Sequence, residues 1–386
     1  MTNAKRLLLA LLGGRWPASG IEESQWPTIA EMAAAHRLQP LLAWRIEREG
    51  WAVPDTVAGP WRAARRNAAI AALAQQAALR LALDRLAASG IDAVALKGVA
   101  LAWRHYPEPA LRPMRDLDLL VPEARAREAA ATLAGAGFIP EAAEPASLAD
   151  EHQLPTQHHQ NLGVTIEVHH RLGDPPHRRG YRVPHLAAEA LLLRAGTVDC
   201  GGAAVRCPDP QDLAAHLIVH ALYGHRLDCG PLVLADLHFL GATGAVDWER
   251  LRAHAEAQGW LRGADLLLAL TARWLGPLPV AFVAPPESVL SAAEEALLPD
   301  RAARDHALAL ADLAAARSPG AFARSLARRL APDAHVVADE AGGAPAWAFW
   351  PVWAFRRIAR LHHDLADRRV AGEARAAAQV IRWLQG

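Results

Sequence analysis

Cysteine, lysine, net charge and long apolar runs are what this 386-residue sequence has little of. Three cysteines, Cys200, Cys207 and Cys229, cannot frame a chain of this length with disulfides, which predicts a reducing, cytoplasmic setting. No apolar run reaches the ~18 residues that a membrane span requires. The short run 7–12 behind Lys5 and Arg6 reads as a first amphipathic helix rather than a signal peptide, because no clear small-x-small cleavage pattern follows it. Lys+Arg and Asp+Glu both number 41, so the formal net charge is zero and there is no strong nucleic-acid signal. A Walker loop, a dinucleotide fingerprint, a Cys-x-x-Cys pair and a Gly-x-Ser-x-Gly elbow are all missing, which removes the chemistries those motifs carry. Among the 41 basic residues only Lys5 and Lys97 are lysines, so a compact ammonium at position 97 stands out.

What is present is apolar bulk. Hydrophobic residues make up 52% of the chain and charged residues 21%, which excludes disorder throughout. At ~150 residues per domain the length predicts two or three units. Residues 1–88 read as an N-terminal helical region: 28–48 and 61–88 are rich in Ala, Leu and Arg, with Pro60 in the first turn of the second segment and Gly90 at its end. The texture then changes. Apolar strands over 91–96, 117–121 and 164–169 alternate with helices over 99–105 and 122–134, which marks a core at 89–195 of α/β or α+β type. Helical segments return in 196–330, after one more strand near 203–206 and a helix start at Asp209 and Pro210. Residues 331–386 form a C-terminal helical tail, whose aromatic and arginine-rich stretch around 344–360 reads as a helix docking on the protein body.

The most informative stretch is Arg112, Arg115, Asp116, Leu117, Asp118, Leu119. Side chains alternate along a strand, so Asp116 and Asp118 share one face and Leu117 and Leu119 the other. Adjacent carboxylates repel, and a hard divalent cation such as Mg²⁺ relieves the repulsion. Glu167 lies between apolar Ile166 and Val168 on a later strand, with Thr165 and His169 on its own face. If the two strands are neighbours, three acids meet, and three acids suit two metal ions ~3.5–4 Å apart in phosphoryl chemistry. An Asp-x-Asp pair by itself is more often a solvated strand edge. Lys97 and Gly98 supply an anion side: a point charge, a residue without a side chain, and the free N–H groups of a following helix. Arg112 and Arg115 either hold a phosphate or pair with Asp116 and Asp118.

Together these residues resemble a family. Leu96-Lys97-Gly98, Tyr106-Pro107, Arg115-Asp116-Leu117-Asp118 and Glu167-Val168-His169, followed by Asp209 to Leu213 with His216 and His220, Ala235-Asp236-Leu237 and Asp247-Trp248, are similar to the uncharacterised nucleotidyltransferases of the DNA polymerase β-like superfamily, over roughly residues 85–280. The resemblance implies an α+β, helix-rich fold in which a small mixed β-sheet core is flanked by N-terminal and C-terminal helical regions. It also implies a nucleoside triphosphate such as ATP bound with Mg²⁺, two ions being expected, and an acceptor that the sequence does not identify. Asp116, Asp118 and Glu167 match the metal-binding and catalytic acids; Lys97, Gly98, Arg112 and Arg115 fall on the nucleotide side. Gly98 is followed by Val99 where the superfamily usually has serine, and that departure motivates the alternative of a catalytically degenerate nucleotide- or protein-binding module.

Other candidates have plainer readings beside them. His152, His158, His159, His169 and His170 crowd near Glu167, yet no His-Glu-x-x-His helix supports a zinc hydrolase. His169 is expected in the nucleotide or acceptor pocket and His170 in a structural position. His216 and His220 share a helix face, and His220 is assigned to the acceptor pocket. Asp236 reads either as an acceptor-side base or as a buried acid paired with a nearby His or Arg.

Overall fold

The computed structural model of the chain describes residues 2–145, 147–149, 151–173, 183–299, 304–316, 319–320, 322–323, 326, 355 and 367–386. The aromatic and arginine stretch 344–354 and 356–360 lies outside the described residues. Four helices open the chain: α1 (Asn3–Leu12), α2 (Trp26–Ala35), α3 (Gln39–Glu49) and α4 (Asp55–Ala88). The segment expected as one helical stretch over 28–48 is broken. Leu38 N–H bonds to Ala33 O and Arg37 N–H to Ala34 O, a Schellman closure of α2 in which Arg37 takes the left-handed position (φ 57°). Glycine is the usual residue there and is missing; the mark the sequence does carry is Pro40, in the first turn of α3. In α4 the helix begins at Asp55 and Pro60 falls inside it. Burial of Val57, Ala58 and Trp61 explains the earlier start, because it draws the first turns onto the core despite the bond that proline removes.

A five-stranded mixed sheet follows, formed by β1 (Val94–Ala95), β2 (Asp116–Leu120), β3 (Phe138–Pro140), β4 (Gln157–His159) and β5 (Val164–His169) in the order β1-β2-β5-β4-β3. Only β2 and β5 run parallel, with Asp116 opposite Thr165, Asp118 opposite Glu167 and Leu120 opposite His169. One sheet face carries Leu117, Leu119, Ile166 and Val168, all buried in the main core beneath α4 and α6 (Ala126–Gly135). The opposite face is divided. Val94, Leu96 and Leu120 pack with α7 (Ala188–Arg194) in a second apolar cluster, and the acids occupy the rest. Alternation over five residues of β2 therefore does both jobs: it buries one side and presents carboxylates on the other.

Between β1 and β2 the chain forms a single short turn of helix, α5 (Gly98–Ala100), continued by a π-helical turn at Leu101–His105. A hairpin, β6 (Gly196–Asp199) and β7 (Ala204–Cys207), leads into a helical layer. That layer comprises α8 (Pro210–Val219), a second π-helical turn at His220–Gly224, α9 (Leu232–Ala242), α10 (Trp248–Gln258) and α11 (Leu261–Leu275). Asp209 caps α8 and accepts from the N–H of Gln211, with Pro210 at the first position. Helices α12 (Glu287–Leu297), α13 (Arg304–Ala314) and α14 (Arg368–Leu384) pack together at the end of the chain. Among the described residues no helix is long and apolar enough to cross a membrane. The molecule is thus α+β and helix-rich, and α8, α9 and the α2–α3 turn close over the acidic half of the sheet face.

Candidate active site

The in-register pairing of β2 with β5 brings Asp118 and Glu167 onto one wall of a cavity of about 440 Å³. His169 Nε2 reaches both acids, 2.8 Å from Asp118 Oδ1 and 3.5 Å from Glu167 Oε2. Among the described residues, Asp118, Glu167 and His169 form a set whose ligating atoms all lie within 4.8 Å of one another. Asp116 shares their strand face and the cavity wall but stands outside that close set. Thr156 Oγ1 donates to Glu167 Oε1 at 3.3 Å, which fixes the second oxygen.

Cations compensate the acids unevenly. Lys97 Nζ donates to Asp118 Oδ1 at 3.3 Å, and both side chains are nearly buried. Burial alone would push the Asp118 carboxyl up; Lys97 and the His169 hydrogen bond outweigh it and hold the group well below the usual carboxylate range. Asp116 behaves oppositely. Burial and then the neighbouring Asp118 and Glu167 charges raise its carboxyl, and Lys97 and Arg37 only partly offset them. Burial lowers the His169 imidazole, but its bonds to Asp118 and Glu167 win and raise it. For Glu167 burial is again the largest effect, and the His169 bond reverses it to a net lowering.

Lys97 adopts φ 35° and ψ −98°, a conformation that L-residues rarely take, at the point where β1 turns into α5. Gly98 follows in close quarters: a Cβ there would stand 2.7 Å from both Arg112 Nη1 and Met114 Sδ, so a larger residue would have to displace those side chains. Of the two arginines, Arg112 pairs with neither Asp116 nor Asp118. Its Nε and Nη2 donate to the two oxygens of Asp236 at 3.2 and 3.0 Å, and Tyr106 Oη donates to Asp236 Oδ1 at 2.7 Å. Both Asp236 oxygens are therefore engaged. The Arg112 guanidinium, although buried, is raised by Asp236; burial and Asp236 both raise the Tyr106 phenol. Arg115 lines the cavity beside them.

The helical layer supplies the opposite wall. His216 and His220 stand one turn apart on α8 and its π-helical extension, with ring centroids 5.7 Å apart, and His225 stacks edge-on against His220 at 4.3 Å. Burial, then the Lys97 charge, holds the His216 and His220 imidazoles well below their ordinary value, so both are neutral. His152, His225, Asp228 and the turn residues His36 and Arg37 also line the cavity. Of the five histidines near Glu167 in sequence, only His169 joins the close set; His158 sits on β4 with Nδ1 3.4 Å from Thr165 Oγ1, and His170 is buried. His36, Arg37 and Asp228 were not legible as site residues: nothing in the Ala/Leu/Arg-rich N-terminal region distinguishes the turn that lines the cavity, and Asp228 lies on a connecting loop between the π-helical turn and α9.

A family model described as "Uncharacterised nucleotidyltransferase" matches residues 22–276 of the 386. The chain belongs to this uncharacterised nucleotidyltransferase family. Its match begins ahead of α2 and ends just after α11, so the nucleotidyltransferase region includes the α2–α3 turn, the acidic sheet face and the Asp236 helix. No curated protein matches the chain.

Proposed function

We propose that the protein transfers a nucleoside monophosphate from a nucleoside triphosphate such as ATP to a hydroxyl-bearing acceptor. The acceptor oxygen forms a bond to the α-phosphorus, the bond to the bridging oxygen breaks, and pyrophosphate leaves. The observation that carries this reading is the pairing of Asp118 with Glu167 across two parallel strands, on a cavity wall that also holds Lys97.

The donor set fits a divalent cation. Two carboxylates face one another, their repulsion met in part by Lys97 and His169, and a third acid, Asp116, shares the strand. Asp116, Asp118 and Glu167 are the residues that would hold Mg²⁺, two ions on this reading; when bound, the metal neutralises phosphate charge and makes the α-phosphorus more electrophilic. Lys97 and Arg115 attract the phosphates. His169 orients the Asp118 carboxylate, and Glu167 takes the proton of the acceptor hydroxyl. Arg112 is held by Asp236 and Tyr106 as a fixed positive wall behind Gly98, which makes Asp236 a positioning residue rather than a base. His220, neutral and facing the cavity, belongs to the acceptor side. The cavity matches a small ligand in size, so a large acceptor would enter it only by a protruding group. The free thiols Cys200, Cys207 and Cys229 suit a reducing, cytoplasmic location.

The test incubates each of the four nucleoside triphosphates, labelled at the α-phosphate, with the purified chain, Mg²⁺ and cell extract. Label should appear in a product with the native chain and be absent with Asp118→Asn. Equal labelling by both, or no triphosphate binding by the native chain, contradicts the reading.

A further inference from the structure

The α2–α3 turn places an arginine in a conformation that disfavours it, at a position where its side chain faces the cavity. Arg37 closes the Schellman motif of α2 with φ 57°, where glycine is the usual occupant and an L side chain is strained. The turn is pinned on both sides. Leu38 is fully buried, and the His36 ring packs so closely on Gly230 that a Cβ there would meet Nδ1 at 2.9 Å. Arg37 itself lines the cavity, and its charge acts on Asp116 at the start of β2. Gly98 and the Arg112–Met114 segment lie at that same end, and the close set Asp118, Glu167 and His169 lies farther along the strands.

We infer that Arg37 is the specificity residue for the triphosphate tail: its guanidinium binds the β- and γ-phosphates that leave as pyrophosphate, so the N-terminal helices complete a nucleotide site otherwise built on the sheet. The inference rests on the nucleotidyl-transfer reading. A planar guanidinium offers paired donors to phosphate oxygens, and the charge that builds on the departing pyrophosphate strengthens those bonds as the α-phosphorus bond breaks. The strained backbone is what such a role leaves behind: glycine would suit the turn better but would remove the cation that this turn adds to Lys97, Arg112 and Arg115 in the cavity lining. The residue thus discriminates by phosphate number, because a monophosphate bound over the acids does not extend to the turn.

The experiment measures binding of each nucleoside triphosphate and its matching monophosphate, with Mg²⁺, by calorimetry on the full chain and on Arg37→Gly and Arg37→Asn, together with the melting temperature of each. Both variants suit the left-handed turn, so the melting temperature should be no lower than that of the native chain. Triphosphate affinity should fall by roughly 10–100-fold, the scale of losing charge-assisted hydrogen bonds, and monophosphate affinity should stay within about twofold. Unchanged triphosphate affinity in both variants overturns the inference while leaving the nucleotidyl reading intact. Equal losses for tri- and monophosphate overturn the placement at the tail. A lower melting temperature in both variants shows that the Arg37 side chain holds the fold and also overturns the inference. A native chain that binds no triphosphate in Mg²⁺ removes the nucleotidyl reading itself, and this inference with it.

Discussion

Asp118 and Glu167 face each other across the parallel β2–β5 pair, and a single nitrogen of His169 lies 2.8 Å from one and 3.5 Å from the other. Two acids joined by one imidazole are held in a fixed relation before any ligand arrives. That preorganisation separates this wall from an ordinary acidic strand edge, where carboxylates point apart into water.

The two aspartates of β2 should respond oppositely to neutralisation. Asp116 is raised by burial and by the charges of Asp118 and Glu167, so its ionised form opposes folding. Asp116→Asn should stabilise the metal-free chain. Asp118 is lowered by Lys97 and His169 in spite of its burial, so Asp118→Asn strips a nearly buried lysine of its partner and should destabilise by a few kcal/mol, on the order of 3. Chemical denaturation in chelator checks both signs.

Lys97 and a divalent cation relieve the same repulsion. Lys97→Met should lower stability in chelator by roughly 3 kcal/mol, since it leaves Asp118 buried without its cation. Added Mg²⁺ should raise the melting temperature of Lys97→Met more than that of the native chain. An equal shift in both would show that the lysine and the ion act independently.

The Arg112–Asp236–Tyr106 group is a closed buried unit. Asp236→Asn should cost about 3 kcal/mol of stability, because Arg112 then lacks a counter-charge. Pairing it with Arg112→Met should recover much of that loss in a double-mutant cycle, whereas activity should fall in all three variants if Arg112 serves as a positioned wall of the site.

Acid should unfold the chain early. Burial, aided by Arg104, pushes the His105 imidazole down to about 4 from an ordinary 6.5. A folded pKa below the unfolded one means that the unfolded state binds the proton first. The stability is therefore complete above about pH 6.5 and is lost as pH falls from there toward about 4, roughly 3 kcal/mol from this group. His216 and His220 are lowered for the same reason and add to the loss. Urea titrations at pH 7.5 and 5 check the sign, and His105→Gln should flatten the difference.

The sheet side of the site was legible because period-2 alternation is a local property. Leu117 and Leu119 against Asp116 and Asp118, and Ile166 and Val168 against Glu167 and His169, carry their own facing, and the pairing of β2 with β5 then brings the acids together. Long-range partners were not legible. Arg112 is four residues from Asp116 yet pairs with Asp236, 124 residues away, and no spacing rule chooses between them. The break after α2 was missed although Pro40 stands in the first turn of α3: the stop itself is fixed by Leu38 entering the core and by His36 packing on Gly230, both tertiary. The start of α4 ahead of Pro60 likewise follows from burial of Val57 and Ala58.

The central claim is that the Asp118–Glu167 pair holds a divalent cation for nucleotidyl transfer. Calorimetric titration of the native chain and of Asp118→Asn/Glu167→Gln with Mn²⁺, with and without a saturating triphosphate, tests it most directly. The account predicts Mn²⁺ binding that tightens when the triphosphate is present and disappears in the double variant. Identical Mn²⁺ and triphosphate binding by the two proteins would contradict it.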